Sequence, residues 1–152
     1  EQGVFVPAYP DKDILDVVEA YHEQGGEFLV AESVGKIIGT AGFYGIDKDF
    51  AQLRRFYLVR NFRGKGIGKE LLDSIIGLAE AKGYKAIISI SEAPLKRALE
   101  VYVRAGFRLF KISQVVNHLA KPLGNHDIDI PSLAKRNWIL DWKGGRWKLR
   151  KR

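Results

Sequence analysis

The chain has 152 residues, 46% of them hydrophobic and 28% charged, the composition of one ordinary globular domain. It holds no cysteine, its three histidines (His22, His118 and His126) have no metal-ligand spacing, and no apolar run approaches the ~18 residues of a membrane span. Disulfides, thiolate chemistry and membrane insertion are therefore excluded, and a metal-free cytoplasmic protein without a visible signal peptide is expected. The net charge of +7 belongs to one end: residues 135–152 carry eight basic side chains against Asp141, and residues 1–134 balance to zero, so the main body has no basic signature for nucleic acid.

In chain order, residues 4–6 form a possible short strand ended by Pro7 and Pro10. Asp11 or Asp13 caps a helix in which Ile14, Val17, Val18 and Tyr21 share a face, and Gly25-Gly26 ends it. Strands over 28–31 and 36–44 form a hairpin across Val34-Gly35. Gly39 and Gly42 interrupt the second of them and imply bends or a close ligand. A loop over 45–49 leads into a strand over 52–59. Ile67, Leu71, Leu72, Ile75, Ile76 and Ala79 then recur at helical spacing up to Ala81-Lys82-Gly83. Residues 85–91 are a short apolar strand. Pro94 opens a helix carrying Leu95, Ala98, Leu99, Tyr102 and Val103, stopped by Gly106, and strands follow over 107–112 and 115–119. This order gives a mixed α/β layer with helices on its faces.

The most informative stretch joins the strand over 52–59 to the next helix: Arg63-Gly64-Lys65-Gly66-Ile67-Gly68. A glycine-rich turn before a helix points several unpaired backbone N–H groups one way, and the helix dipole adds partial positive charge, so the turn suits phosphate or another anion. Glycine lets the backbone approach such a ligand closely. Arg63, Lys65 and Lys69 add fixed charge. The P-loop pattern fails because Glu70 follows Gly68-Lys69, and the dinucleotide pattern fails because Lys69 and Leu71 stand where its third glycine belongs.

What fits is Arg-x-x-Gly-x-Gly, which resembles the signature of the GNAT superfamily of acetyl-CoA-dependent N-acetyltransferases. Two later stretches resemble the same family: 98–107, with Ala98, Tyr102, Gly106 and Phe107 at family spacing, and the final strand over 116–123. The resemblance covers about residues 1–123, leaving 124–152 as an extension. It implies an α/β (α+β) fold with a mostly antiparallel central sheet flanked by helices. It also implies acetyl-CoA as co-substrate and direct attack of a primary amine on the thioester. The loop amides of Arg63, Gly64, Lys65, Gly66, Ile67, Gly68 and Lys69 would hold the CoA pyrophosphate. The edge at Leu58 and Val59 would pair with the pantetheine arm, and an N–H near Leu58 would meet the acetyl oxygen. Tyr102 matches the family tyrosine that protonates the leaving thiolate; a phenol of pKa ~10 keeps its proton at neutral pH.

The base is less plain. Gln52 stands where many members carry Glu; it cannot take a proton but can orient a water. Asp47, Asp49 and Glu32 are further carboxylates to weigh, and Leu95 stands where many members carry Asn. Phe56 and Tyr57 alternate, so one faces the core and the other is free to line an acceptor cleft. Rival readings are an acyl-CoA-binding module without turnover, favoured by Gln52 and Leu95, and a nucleic-acid-associated protein using the basic end.

Residues 125–132 read as a linker or extended arm. Beyond them, 138–150 reads as a hairpin about Gly144-Gly145, in the register Trp142 to Trp147, Leu140 to Leu149 and Asp141 to Lys148. All three tryptophans lie on its apolar face, which is expected to dock on its own domain or across a homodimer. The amine acceptor is a small molecule or a peptide.

Overall fold

Two residues of positive φ, Val34 at 49° and Gly35 at 74°, turn the chain between strands β1 (Glu27–Ser33) and β2 (Lys36–Gly45). Positive φ at both central positions matches the right-handed twist of the flanking strands. The computed structural model to which they belong describes residues 13, 16–92, 96–112, 116–129, 133, 138–143 and 146–151. The expected strand over 4–6, Leu95 and the Gly144-Gly145 turn lie outside the described residues.

Strand β3 (Phe50–Leu58) continues antiparallel to β2. Helix α1 (Ile67–Ala81), strand β4 (Ala86–Glu92), helix α2 (Lys96–Arg104) and strands β5 (Arg108–Ile112) and β6 (Val116–Pro122) follow. The six strands make one sheet in the order β1-β2-β3-β4-β6-β5. Only β3 and β4 are parallel, joined by the α1 crossover. The sheet is thus mixed and mostly antiparallel, as the resemblance implied.

One face of the sheet carries both helices. Leu71, Leu72, Ile75, Ile76 and Ala79 of α1 are buried against Ala41, Phe43, Ala51, Leu53, Ile87 and Leu119. Each such leucine or isoleucine contributes about 1.5–3 kcal/mol by leaving water. On α2, Leu99 and Val101 pack on this cluster and Tyr102 belongs to it, whereas Val103, expected on the same face, is exposed. The opposite face is smaller: Phe50, Ala86, Ile88 and Ala120 pack with Leu133, and Ile46, Ile128 and Phe110 lie around them. Leu133, just beyond the stretch read as a linker, is only 1% exposed, and Ile128 within that stretch packs on the same cluster.

The expected helix before β1 is described only in part: Asp13 and Val17 are helical, and its end widens into a π-helical turn over Val18–His22, with Val18 outward and Tyr21 inward. Gly42 is explained by that tyrosine: a Cβ there would come within 2.6 Å of the Phe28 ring and 2.9 Å of the Tyr21 ring. At Gly39 a Cβ would press on the Tyr57 carbonyl and on Leu58 and Leu71. Both glycines therefore answer to the chain's own packing, where a ligand was the alternative. Strands β7 (Trp138–Lys143) and β8 (Arg146–Lys151) form a separate two-stranded sheet, in the register expected from the sequence.

Candidate active site

Strands β3 and β4 pair only at Phe50–Ala86, Ala51–Ile87 and Gln52–Ile88. Beyond Gln52 they part, and a wedge opens in the middle of the sheet. The Val59 N–H donates to the Ile38 carbonyl of β2 at 2.7 Å. Backbone groups alternate along a strand, so the Leu58 N–H points the other way, into the wedge. The Leu58 carbonyl accepts from Arg63 Nε at 3.0 Å. Arg63 therefore ties the turn to the end of β3.

At the wide end of the wedge a single helical turn, Arg60–Phe62, leads into the glycine loop. Gly64 has φ 78° and Gly66 has φ 84°, values that favour glycine, and a Cβ at either would meet nothing within 4 Å. The loop is an open cradle, and its glycines serve the backbone conformation. Gly66 caps α1 with no side-chain hydrogen bond, and Glu70 is the first residue to donate back, to the Gly66 carbonyl at 3.0 Å. The N–H groups of Ile67, Gly68 and Lys69 thus stand at the bare positive end of α1. The nearby cations are engaged within the chain. Lys65 Nζ lies 5.5 Å from the centre of the Phe62 ring, and Lys69 is bonded to Asp73 at 2.7 Å, which raises its pKa. The unpaired backbone amides at the start of α1 form a donor set that fits a pyrophosphate.

Tyr102 lies beneath the wedge. Its ring centre is 5.9 Å from Phe56 on β3 and 5.3 Å from Phe107, and its hydroxyl is hydrogen-bonded with Ser89 on β4. It spans the two diverging strands. Burial pushes its pKa up, only partly offset by the Ser89 bond, so the phenol keeps its proton at neutral pH. Of the alternating pair, Phe56 is the residue that packs on the helix-bearing core.

The opposite face of β3 is polar. Gln52, 1% exposed at the point of the wedge, accepts a 2.6 Å hydrogen bond from the Tyr44 hydroxyl. Arg54 stacks on the Tyr44 ring at 5.8 Å and also hydrogen-bonds its hydroxyl. Burial pushes Tyr44 up to about 12 in spite of that cation. The next residue breaks the strand. Gly42 pairs with Arg54 and Thr40 with Tyr57, so Ala41 faces both Arg55 and Phe56, and Arg55 takes φ 57°. This is a β-bulge. Its arginine turns inward and grips Asp13 through two hydrogen bonds, at 2.9 and 2.6 Å, while the Thr40 hydroxyl donates to its carbonyl at 2.6 Å. Tyr21 donates to the same carboxylate at 2.5 Å. Burial alone would raise the pKa of Asp13, but the bonds from Arg55 and Tyr21 outweigh it and hold the carboxyl at about 2. Burial and the Asp13 bond push Tyr21 well above the usual phenol range. Over this network lies a cleft of about 380 Å³ lined by Asp13, Asp16, Glu19, Ala20, Tyr21, Gln24, Tyr44 and Arg54.

The carboxylates weighed as bases are elsewhere. Asp47 accepts the Asp49 and Phe50 N–H groups in the turn before β3, and Asp49 pairs with Lys85 at 3.6 Å; both lie at the closed end of the strand. Glu32 is exposed on the edge strand β1. His22 pairs with Glu27 at the surface. His118 is buried on β6 beside Phe110, and burial, with Lys111 nearby, lowers it to about 4. Sequence reasoning missed Tyr44, Arg54, Arg55 and Tyr21. The signal was Arg54-Arg55 between Leu53 and Phe56, two charges where a half-buried strand should alternate.

The sequence profile of the acetyltransferase (GNAT) family matches residues 2–107, and the chain belongs to that family. It is 28% identical over 100 residues to the uncharacterised N-acetyltransferase YjgM of Escherichia coli, covering 64% of this chain and 60% of that one. It is 32% identical over 118 residues to N-acetylaspartate synthetase of Xenopus tropicalis, covering 76% of this chain and 42% of that one. The chain thus spans about half the length of these curated relatives. A GNAT family acetyltransferase of Elizabethkingia anophelis, solved with acetyl-CoA bound, superposes with a TM-score of 0.60 at 22% identity, covering 81% of this chain and 94% of that one.

Proposed function

We propose that the chain transfers the acetyl group of acetyl-CoA to a primary amine by direct attack. The observation that carries this reading is the wedge beyond Gln52, with the glycine cradle at its wide end and Tyr102 beneath it. The N–H groups of residues 64–69 hold the pyrophosphate, and the side of β3 that faces the wedge, where the Leu58 N–H points, takes the pantetheine arm as an added strand; both backbone groups of Val59 are engaged within the chain, with Ile38 and Phe62, so Val59 borders the arm without pairing with it. The Leu58 N–H meets the acetyl oxygen as negative charge develops there, a contribution of ~3 kcal/mol where such a donor has been removed in other enzymes. Tyr102 donates its proton to the departing thiolate. Gln52, held by Tyr44, orients a water that carries the amine proton toward solvent. The described carboxylates weighed for that step lie away from the wedge, which favours a water path over a named base. We further infer a cytoplasmic enzyme acting on a small-molecule or peptide amine, with the β7–β8 hairpin as a homodimer contact.

Gly66→Glu tests the reading. A side chain there meets open space, so the fold survives with ~1–2 kcal/mol of backbone strain. The carboxylate would stand where the pyrophosphate belongs, and CoA affinity by calorimetry falls more than tenfold, about 1.4 kcal/mol. Unchanged affinity in a folded variant ends the acetyl-CoA reading. Thiol release with a panel of amines then separates turnover from binding alone.

A further inference from the structure

We propose that the cleft over β2 and β3 is the acceptor site and takes a free α-amino acid, with Arg54 binding its carboxylate. The inference rests on the acetyl-transfer reading above and names the acceptor class. Arg54 is half-buried on the cleft floor, and its guanidinium is oriented by the Tyr44 ring and hydroxyl. Among the described residues no carboxylate lies within salt-bridge distance of it. The nearest candidate, Asp13, is already committed to Arg55 and Tyr21. A guanidinium offers five N–H donors in a planar fork, and one hydrogen bond to a phenol leaves most of them for a ligand. A two-oxygen anion satisfies that fork; a neutral or purely cationic amine does not.

Position gives the second argument. Arg54 follows Gln52 by two residues on the same face, so it stands about 7 Å along β3 from the point where the wedge opens. An α-amino acid carries its amine on the carbon next to the carboxylate. Holding the carboxylate at Arg54 therefore brings the amine within a few ångströms of the wedge. The volume of about 380 Å³ is sufficient for an amino acid. At the rim, Asp16 and Glu19 are exposed, and Asp16 also caps the Glu19 N–H at 3.0 Å. The acceptor side chain would face these two carboxylates. Neutral and basic side chains are favoured there, and acidic ones are repelled.

The test uses matched pairs on the full-length chain with acetyl-CoA: arginine against agmatine and phenylalanine against phenethylamine, each pair differing by the carboxylate. The expected result is a kcat/KM at least tenfold higher for each amino acid, most of it in KM. In Arg54→Gln the preference collapses to near one, and Arg54→Lys restores part of it. CoA calorimetry on both variants confirms that the co-substrate site is intact. Glutamate is expected to be the poorest amino acid of a wider series. Equal or better transfer to the decarboxylated amines overturns the inference and leaves the acetyltransferase reading standing. A preference unchanged in Arg54→Gln overturns it in the same way. No transfer to any member of either series, by a protein that binds CoA, overturns the inference, and the wider amine panel then decides the acetyl-transfer reading.

Discussion

On the face of the sheet that carries α1 and α2, the buried side chains of the core cluster are leucine, isoleucine, alanine and phenylalanine, with Tyr84 and Tyr102 among them, fitted to one another by shape. On the other face of β2 and β3, within one strand's thickness, Asp13, Arg55, Tyr21, Tyr44, Gln52 and Arg54 are joined by hydrogen bonds and charge. The apolar face tolerates small errors, because a misplaced methyl group loses only part of its contact. The polar face does not, because a buried charge that loses its partner bears its full desolvation penalty. A scaffold that holds a wedge open needs the first kind of packing. Aiming a bulge and an arginine beside that wedge needs the second.

The comparison breaks most sharply at Asp13. Its side chain is 17% exposed and that of Arg55 is 7% exposed. Asp13→Ala leaves Arg55 buried without its counter-ion, and we expect a loss of roughly 3–5 kcal/mol by denaturant unfolding. The wild-type pair also has a pH signature. The folded carboxyl sits at about 2, below its ordinary 3.8, so the stabilisation is fully present above about pH 4 and disappears as the pH falls toward 2. The variant should lack that part of the acid dependence. A cost below 1 kcal/mol would show that the bulge holds without its lock.

The two faces also differ in how far the sequence discloses them. Helical spacing named the buried side of α1 residue by residue. The glycine loop announced itself because positive φ at Gly64 and Gly66 requires that residue type. The pairing of Trp142 with Trp147 followed from counting outward from a turn. These are local rules. The Arg55–Asp13 pair spans 42 positions and depends on a bulge that inverts one residue of β3. No periodicity encodes it, and the Arg54-Arg55 doublet is its only trace. Val103 fails for a related reason: α2 presents its 99, 101 and 102 positions to the core, and the apolar pattern alone includes both sides of that arc.

Next in size is the proton donor on the apolar face. Tyr102→Phe keeps the ring against Phe56 and Phe107 and removes the hydroxyl, leaving only Ser89 to find another partner. Turnover should fall by ~10² or more, equivalent to about 2.7 kcal/mol in the barrier, with little change in the acetyl-CoA Michaelis constant. Rates within twofold of wild type would make Tyr102 a packing residue like the rest of the cluster on that face.

The smallest effect concerns the boundary between the sheet and the hairpin. Leu133 is buried with Phe50, Ala86, Ile88 and Ala120, and Ile128 packs beside them, so this stretch belongs to the smaller core. Strands β7 and β8 pair only with each other. Deleting 138–152 should therefore cost less than ~1 kcal/mol, or roughly 2–4 °C in melting temperature. Deleting 125–152 removes the Leu133 plug as well. A buried leucine truncated to alanine costs about 2–5 kcal/mol, so this longer deletion should lower the melting temperature by roughly 5–15 °C. An isolated two-stranded hairpin is marginal in water, and a dimer contact is the means proposed here for stabilising it. Light scattering on the shorter deletion reads that contact directly: a halved mass supports it, and an unchanged mass sinks it. If the two deletions melt alike, Leu133 adds nothing to the stability of the smaller core, and the boundary does not lie near 133.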